Sequence, residues 1–396
     1  MRKLAGIGWL LLGLACVALP AAPADAARAR VHVVAQGQSL WSIARQHRVT
    51  VKALRALNGL ADDAEIRPGQ RLRIPAPGAE APAAPAMSKT QPAAASEAPR
   101  ETRTRASGFV PEKPGPETQT QKTAEERGVN PCNTPDPGWG IYSRWDRSPS
   151  MGQMILPRSG GVTRDGRFDV VFHFHGHEPV RKEWVQVMDG AVLVGIDLGI
   201  GSGPYASAFS DPAAFERLVK SVEAAVAAKT GKKRAVARKI GLSAWSAGYG
   251  AVQEILGQAY GRKHVDAVVL LDGLHCGYSG AGLNGAQLAP FVEFARRAAR
   301  RQAFMFVSHS SIIPPGYAST TETAAFLAHE VGGAVRRVRG AGPMGMDQIT
   351  RYSRGSFHVR GYAGNDKMDH CAHIGLFRDV LKHHLKPRWK SPRGRG

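Results

Sequence analysis

Five short stretches carry the side chains that could do chemistry. Ser246 lies in Ser243-Ala244-Trp245-Ser246-Ala247-Gly248-Tyr249-Gly250, with small residues on both sides. His173-Phe174-His175-Gly176-His177 sets three imidazoles at alternate positions, and Asp272 closes Leu270-Leu271-Asp272-Gly273. Ser308-His309-Ser310 ends another apolar run, and Asp369-His370-Cys371-Ala372-His373 opens the last helical stretch. A serine hydroxyl is a weak nucleophile until a base takes its proton, and that base needs an acid to hold its tautomer. Ser246 is the candidate nucleophile, His370 the base and Asp272 the acid. His373, one helical turn on, competes with His370, but a loop residue swings more easily over the serine. Residues 308–321 contain no Asp or Glu, and Glu322 reads as part of a helix start. The alternating His173, His175 and His177 also admit a metal site, because His-x-His commonly opens zinc coordination. A complete site needs further ligands and an open position, so neither a metal nor another cofactor is assigned.

The elements that must position these residues are legible from apolar patterning. Runs at 168–172, 191–196, 239–243, 265–271 and 303–307 have strand character, and helical stretches lie between them near 212–228, 247–259, 286–300 and 321–329. Strands this apolar are buried on both faces, as in a mostly parallel sheet covered by helices. The reading is a three-layer α/β domain over 131–387. Sites in such sheets form at the carboxyl ends of strands, where the chemistry-bearing stretches fall.

The residues around Ser246 resemble the nucleophile elbow of the α/β-hydrolase superfamily, in which a tight strand-to-helix turn projects the serine. Ala244 stands where the commonest pattern has Gly. The resemblance implies the chain order serine, acid, histidine, which Ser246, Asp272 and His370 satisfy, although the superfamily more often places its acid one strand later. It also implies an oxyanion hole made by the backbone N–H groups of Ala247 and Gly176, since His175-Gly176 ends an earlier strand as the His-Gly of many hydrolases does. If the loops bearing Asp272 and His370 converge on Ser246, Cys276 and Cys371 come close enough for a disulfide. Cys132 then stays unpaired or pairs outside the chain.

A smaller domain precedes this one. Residues 31–75 read as strand, helix, helix, strand, with Ser39 and Thr50 as helix caps. Val34-Ala35-Gln36-Gly37-Gln38-Ser39-Leu40-Trp41-Ser42-Ile43-Ala44, then Asn58-Gly59-Leu60, then Ile66-Arg67-Pro68-Gly69-Gln70-Arg71-Leu72-Arg73-Ile74-Pro75, resemble the LysM family across the whole segment. Gln38 stands where the family usually has Asp. The resemblance implies a βααβ fold that binds N-acetylglucosamine-containing glycans, peptidoglycan or a chitin-like polymer. Its contacts would fall on Gly37, Gln38, Ser39 and Leu40 and on Ile66 and Arg67, while Trp41 and Ile43 read as core.

The chain has 396 residues, more than one average domain needs. Arg2 and Lys3 followed by an apolar run to Leu19 and small residues to Ala27 read as a secretory leader over 1–26. Cys16 raises a lipoprotein alternative, which Gly13 disfavours. No other run approaches 18 apolar residues, so no spanning helix is expected. Residues 76–108 contain no Leu, Ile or Val and five prolines, which reads as a disordered linker over 76–128. The formal charge is +21. The linker's seven basic residues balance seven Glu, so the excess lies in the two folded regions, while 388–396 reads as a basic tail. An exported basic chain without a recognition motif points to anionic envelope polymers rather than nucleic acid. The expectation is an exported serine hydrolase, periplasmic, wall-associated or extracellular, acting on a small ester or acylated glycan. An esterase is favoured over a peptidase or amidase on the same triad, and the alternative class is a non-catalytic glycan-binding wall protein.

Overall fold

The computed structural model describes residues 30–34, 43, 47, 49, 51–60, 66, 69–75, 116–314 and 316–390, which fall into two compact units. In the first, β1 (Arg30–Val33) pairs antiparallel with β2 (Arg71–Ile74), Arg30 opposite Ile74. Side chains of β2 alternate, so Leu72 and Ile74 turn inward and Arg71 and Arg73 outward. They meet Val34, Ile43 and Leu54, the last from helix α1 (Val51–Asn58). Asn58 ties that helix to the sheet: its amide donates to Leu54 O at 2.7 Å and Arg73 O at 2.8 Å, and its oxygen accepts the Arg73 N–H at 2.7 Å. Ile43 is core, as expected, and Ile66 packs against the same cluster. Gly37, Gln38, Ser39, Leu40, Trp41 and Arg67 lie outside the described residues, as do the leader, Cys16 and residues 76–115.

The second unit is an α/β sandwich. Its strands are β3 (Gln153–Ile155), β4 (Arg167–Phe174), β5 (Ala191–Ile196), β6 (Val236–Trp245), β7 (Val265–Leu271), the small hairpin β8 (Tyr278–Ser279) and β9 (Gly282–Leu283), β10 (Phe304–Ser310), β11 (Arg336–Ala341), β12 (Asp347–Arg354) and β13 (Phe357–Tyr362). All but the hairpin join one sheet in the order β11-β12-β13-β10-β7-β6-β4-β5-β3. The six strands from β13 to β5 run parallel, while β3, β11 and β12 join antiparallel.

Alternation along the central strands divides the interior. Phe172 and Phe174, Val268 and Leu270, and Met305 and Val307 join Phe215, Leu288 and Leu327 on one face. Val171, Val269 and Phe306 join Trp184 and the C-terminal Phe377 and Leu381 on the other. Burial on both faces is why these strands read as continuous apolar runs.

Two boundaries and one disulfide differ from the sequence reading. Helix α2 (Gln119–Arg127) belongs to the second unit rather than to the linker. Thr118 and Gln121 form its capping box, Thr118 Oγ1 donates to Asp369 Oδ1 at 2.6 Å, and Gln121 Nε2 donates to Asp369 Oδ2 at 2.9 Å. Polar bonds hold this helix, so apolar periodicity gave no sign of it. The basic tail starts later than 388, because Trp389 is buried and donates its indole N–H to Asp266 Oδ2 at 2.8 Å. Finally, Cys371 bonds to Cys132, and the expected Cys276–Cys371 disulfide is absent; Cys276 is a buried free thiol. Cys132 lies in the short turn Pro131–Asn133, whereas Cys276 packs with Leu274 and Leu288 in the core on the helix side.

Candidate active site

Ser246 directly follows β6 and adopts φ +50°, a left-handed backbone that non-glycine residues rarely take. The tight turn Ser246–Gly248 then feeds the helix Tyr249–Gly257. A Cβ at Gly248 would lie 2.1 Å from Phe174 O, so only glycine lets the turn press against β4. This is the strand-turn-helix that the small residues around Ser246 predict.

Asp272 leaves β7, the strand next to β6, and is 2% exposed. Its Oδ1 accepts the Ser310 backbone N–H at 2.7 Å and the Thr320 hydroxyl at 2.6 Å, and its Oδ2 lies 2.7 Å from His370 Nδ1. Burial opposes the charge, yet the field of His373 and the hydrogen bonds from His370 and Thr320 hold the carboxyl well below the usual carboxylate range. A carboxylate only accepts, so the His370 proton sits on Nδ1 and leaves Nε2 with a lone pair.

His370 lies in the helix Lys367–Ala372. Trp245 fixes its position, donating its indole N–H to His370 O at 3.1 Å and stacking on the imidazole at a centroid distance of 4.9 Å. His373 is fully buried behind the acid, 2.8 Å from Ser308 Oγ through Nδ1, and burial lowers its pKa to about 4. It does not reach the cavity that His370 lines.

That cavity, about 350 Å³, is lined by Ser246, Asp272 and His370 together. Ile312, Pro314 and Tyr317 give it an apolar wall, and Asp366 and Lys367 a charged one. Two further lining residues, His275 and Thr320, had no individual role assigned from the sequence. His275 Nδ1 donates to Ala318 O at 2.9 Å. Thr320 lies within the capping sequence Ser319-Thr320-Thr321-Glu322, which signals a helix start but not a hydroxyl aimed at Asp272.

The loop after β4 departs from expectation. Gly176 directs its N–H to Asp197 Oδ2 at 3.3 Å, and neither it nor Ala247 is among the residues lining the cavity. Asp197, at the end of β5, is held ionised against the effect of burial by His175, His177 and Tyr205. Ala247 directly follows Ser246 in the turn. The three alternating histidines do not share a face, because His175 and Gly176 take φ +70° and +73° and break the strand there. His173 turns into the core toward Ser243 Oγ, 3.0 Å away, while His175 and His177 flank Asp197.

The two units thus have distinct classes. Residues 32–75 match the LysM domain family, so the first unit is a LysM domain. The six parallel strands covered by helices make the second an α/β domain, with a left-handed serine between β6 and a helix. No curated protein matches the chain. Among solved structures, an uncharacterised protein from Capnocytophaga ochracea is similar at 11% identity over 61% of this chain and 63% of its own, with a TM-score of 0.36. An esterase from Pyrobaculum calidifontis is similar at 14% over 67% and 90%, with a TM-score of 0.31. Prolyl oligopeptidase B from Galerina marginata is similar at 11% over 61% and 37%, with a TM-score of 0.29. The chain therefore spans less than two thirds of the first and third of these.

Proposed function

We propose that this protein is an exported serine hydrolase, with residues 1–26 as its leader, that cleaves acyl esters on or near N-acetylglucosamine-containing wall glycans. The observation that carries the reading is the 2.7 Å bond from His370 Nδ1 to Asp272 Oδ2 in a cavity also lined by Ser246 on its left-handed turn. His370 Nε2 takes the Ser246 proton as Oγ attacks the acyl carbon. The resulting imidazolium then protonates the departing alkoxide, leaving an acyl-serine and a free alcohol. Water, deprotonated by the same Nε2, attacks the acyl carbon, releasing the carboxylic acid and restoring Ser246. Asp272 keeps the proton on Nδ1 throughout and stabilises the charged ring. The apolar wall of Ile312, Pro314 and Tyr317 suits a short acyl group.

The LysM domain supports glycan binding, and a chain that joins it to the hydrolase unit would raise the effective concentration of the enzyme at a glycan surface. The test is covalent labelling by a fluorophosphonate. Full-length protein is expected to label and Ser246→Ala to lose the label; folded wild type that stays unlabelled would remove the catalytic reading and leave a glycan-binding protein.

A further inference from the structure

A second cavity lies on the hydrolase unit, separate from the residues around Ser246. It has a volume of about 750 Å³ and is lined by residues 143–147, 156–160 and 162 and, at and just past the C-terminal end of the helix Ala214–Lys229, by Lys229, Thr230 and Lys232. Its lining is strongly one-signed. Arg144, Arg147, Arg158, Lys229 and Lys232 face a single acid, Asp146. That acid is already neutralised, for Lys229 Nζ lies 2.5 Å from its Oδ2 and holds its carboxyl below the usual range. Arg144, Arg147 and Arg158 are exposed and make no ion pair among the described residues.

Like charges gathered in a concave wall repel one another and focus a positive potential into the cleft. Guanidinium groups in particular offer paired N–H donors matched to carboxylate and phosphate oxygens. The cleft also contains one fixed aromatic wall. Trp145 donates its indole N–H to Glu178 Oε1 at 2.9 Å and stands edge-on to His177 at 5.5 Å, so its ring is oriented before any ligand arrives. A planar ring beside cationic forks suits a pyranose that carries an anionic group. A single aromatic is a poor platform for nucleic acid, which is gripped by stacking successive bases.

We propose that this cleft binds an anionic glycan, a sugar polymer bearing carboxylate or phosphate groups, as a second point of attachment besides the LysM domain. The choice of a glycan rests on the LysM reading; the choice of an anion rests on the cleft alone.

The experiment is calorimetric titration of the full chain with three probes at fixed ionic strength: a uronic-acid oligosaccharide, a glycerol-phosphate oligomer and a neutral N-acetylglucosamine oligomer. In Arg144→Ala/Arg147→Ala/Arg158→Ala, affinity for the preferred anionic probe should fall about tenfold, the combined effect of three exposed charge contacts. A control, Arg336→Ala/Arg337→Ala/Arg339→Ala, removes the same charge from exposed positions of β11 and should bind like wild type. Preference for the uronate or the glycerol phosphate supports the proposal and names the source of the anion. Equal losses in both triple variants, no loss in the cleft variant, or a nucleic-acid oligomer bound as tightly as either anionic probe would overturn it. The neutral probe keeps the two readings apart: wild type that ignores it contradicts the LysM assignment, whereas the contrast between the triple variants reads the cleft alone.

Discussion

Asp272→Asn is the most demanding test of the proposed chemistry, because the surroundings of the carboxylate dictate how the amide must sit. Two donors, the Ser310 backbone N–H at 2.7 Å and the Thr320 hydroxyl at 2.6 Å, point at Oδ1. The backbone donor cannot be reversed. The asparagine oxygen must therefore occupy the Oδ1 position, which puts its NH2 group where Oδ2 now faces His370 Nδ1. An NH2 group donates, so Nδ1 must offer a lone pair and the imidazole proton moves to Nε2. A protonated Nε2 cannot take the Ser246 proton. The size of the effect follows from the analogous change in a serine protease, where forcing the wrong tautomer lowers kcat about 10⁴-fold, or about 5 kcal/mol in the barrier. The assay is steady-state hydrolysis of a p-nitrophenyl ester alongside the rate of fluorophosphonate labelling, with thermal unfolding to establish that the variant folds. Both rates should fall together. A folded variant that loses less than tenfold in kcat would refute the role of Asp272.

Two predictions concern stability. Burial keeps three histidines neutral in the fold, with pKa lowered from 6.5 to about 3 for His173 and about 4 for His309 and His373. The unfolded chain takes up these protons as pH falls through 6.5 and the folded chain only near 4, so stability is lost across that window, roughly 2–3 kcal/mol per histidine by pH 4.5. Asp272 contributes nothing there, because its depressed pKa puts its loss below the ordinary carboxylate range. Calorimetry should show Tm falling steeply between pH 6.5 and 4.5, and a constant Tm would contradict the buried neutral imidazoles. The second prediction follows from the Cys132–Cys371 bond, which closes a separation of 239 residues. Opening so long a loop costs roughly 5 kcal/mol in the chain-entropy account. Cys132→Ser is therefore expected to lower Tm well beyond Cys276→Ser. Peptide mapping of unreduced protein should find Cys276 as a free thiol that resists alkylation in the native state, since burial raises its pKa to about 11; a bridge to Cys276 would sink the assignment.

What the sequence made legible followed from burial. β5 and β7 coincide with the apolar runs at 191–196 and 265–271, because a strand covered on both faces must be apolar along its length. Elements held by polar contacts left no such trace. β11 reads Arg-Arg-Val-Arg-Gly-Ala and is mostly exposed, so neither alternation nor an apolar run marked it. Helix α2 grips Asp369 through Thr118 and Gln121 across about 250 residues of chain, a relation that exists only once the chain has folded. The disulfide failed for a related reason. The reading that Asp272 and His370 converge matches the structure, but proximity of two loops does not make every pair of their side chains neighbours. Cys371 turns toward the Pro131–Asn133 turn while Cys276 turns into the core.

The position of the acid shows how elimination and geometry reach the same residue by different routes. In the sequence, Asp272 stood out because residues 308–321 hold no carboxylate. In the structure, the end of β10 is given over to supporting Asp272. The Asp272 N–H donates to Ser308 Oγ at 3.2 Å, the Ser310 N–H returns to Oδ1, and His373 packs behind Ser308. β7 adjoins β6 directly, so a carboxylate at its end lies one strand spacing from Ser246 and the proposed base, whereas one on β10 must reach across two. A buried carboxylate so near the serine is tolerable only if both oxygens are satisfied, and β10 supplies donors in the place where a second acid would have left two like charges facing each other. The missing acid on β10 and the presence of Asp272 on β7 are therefore one feature of the fold.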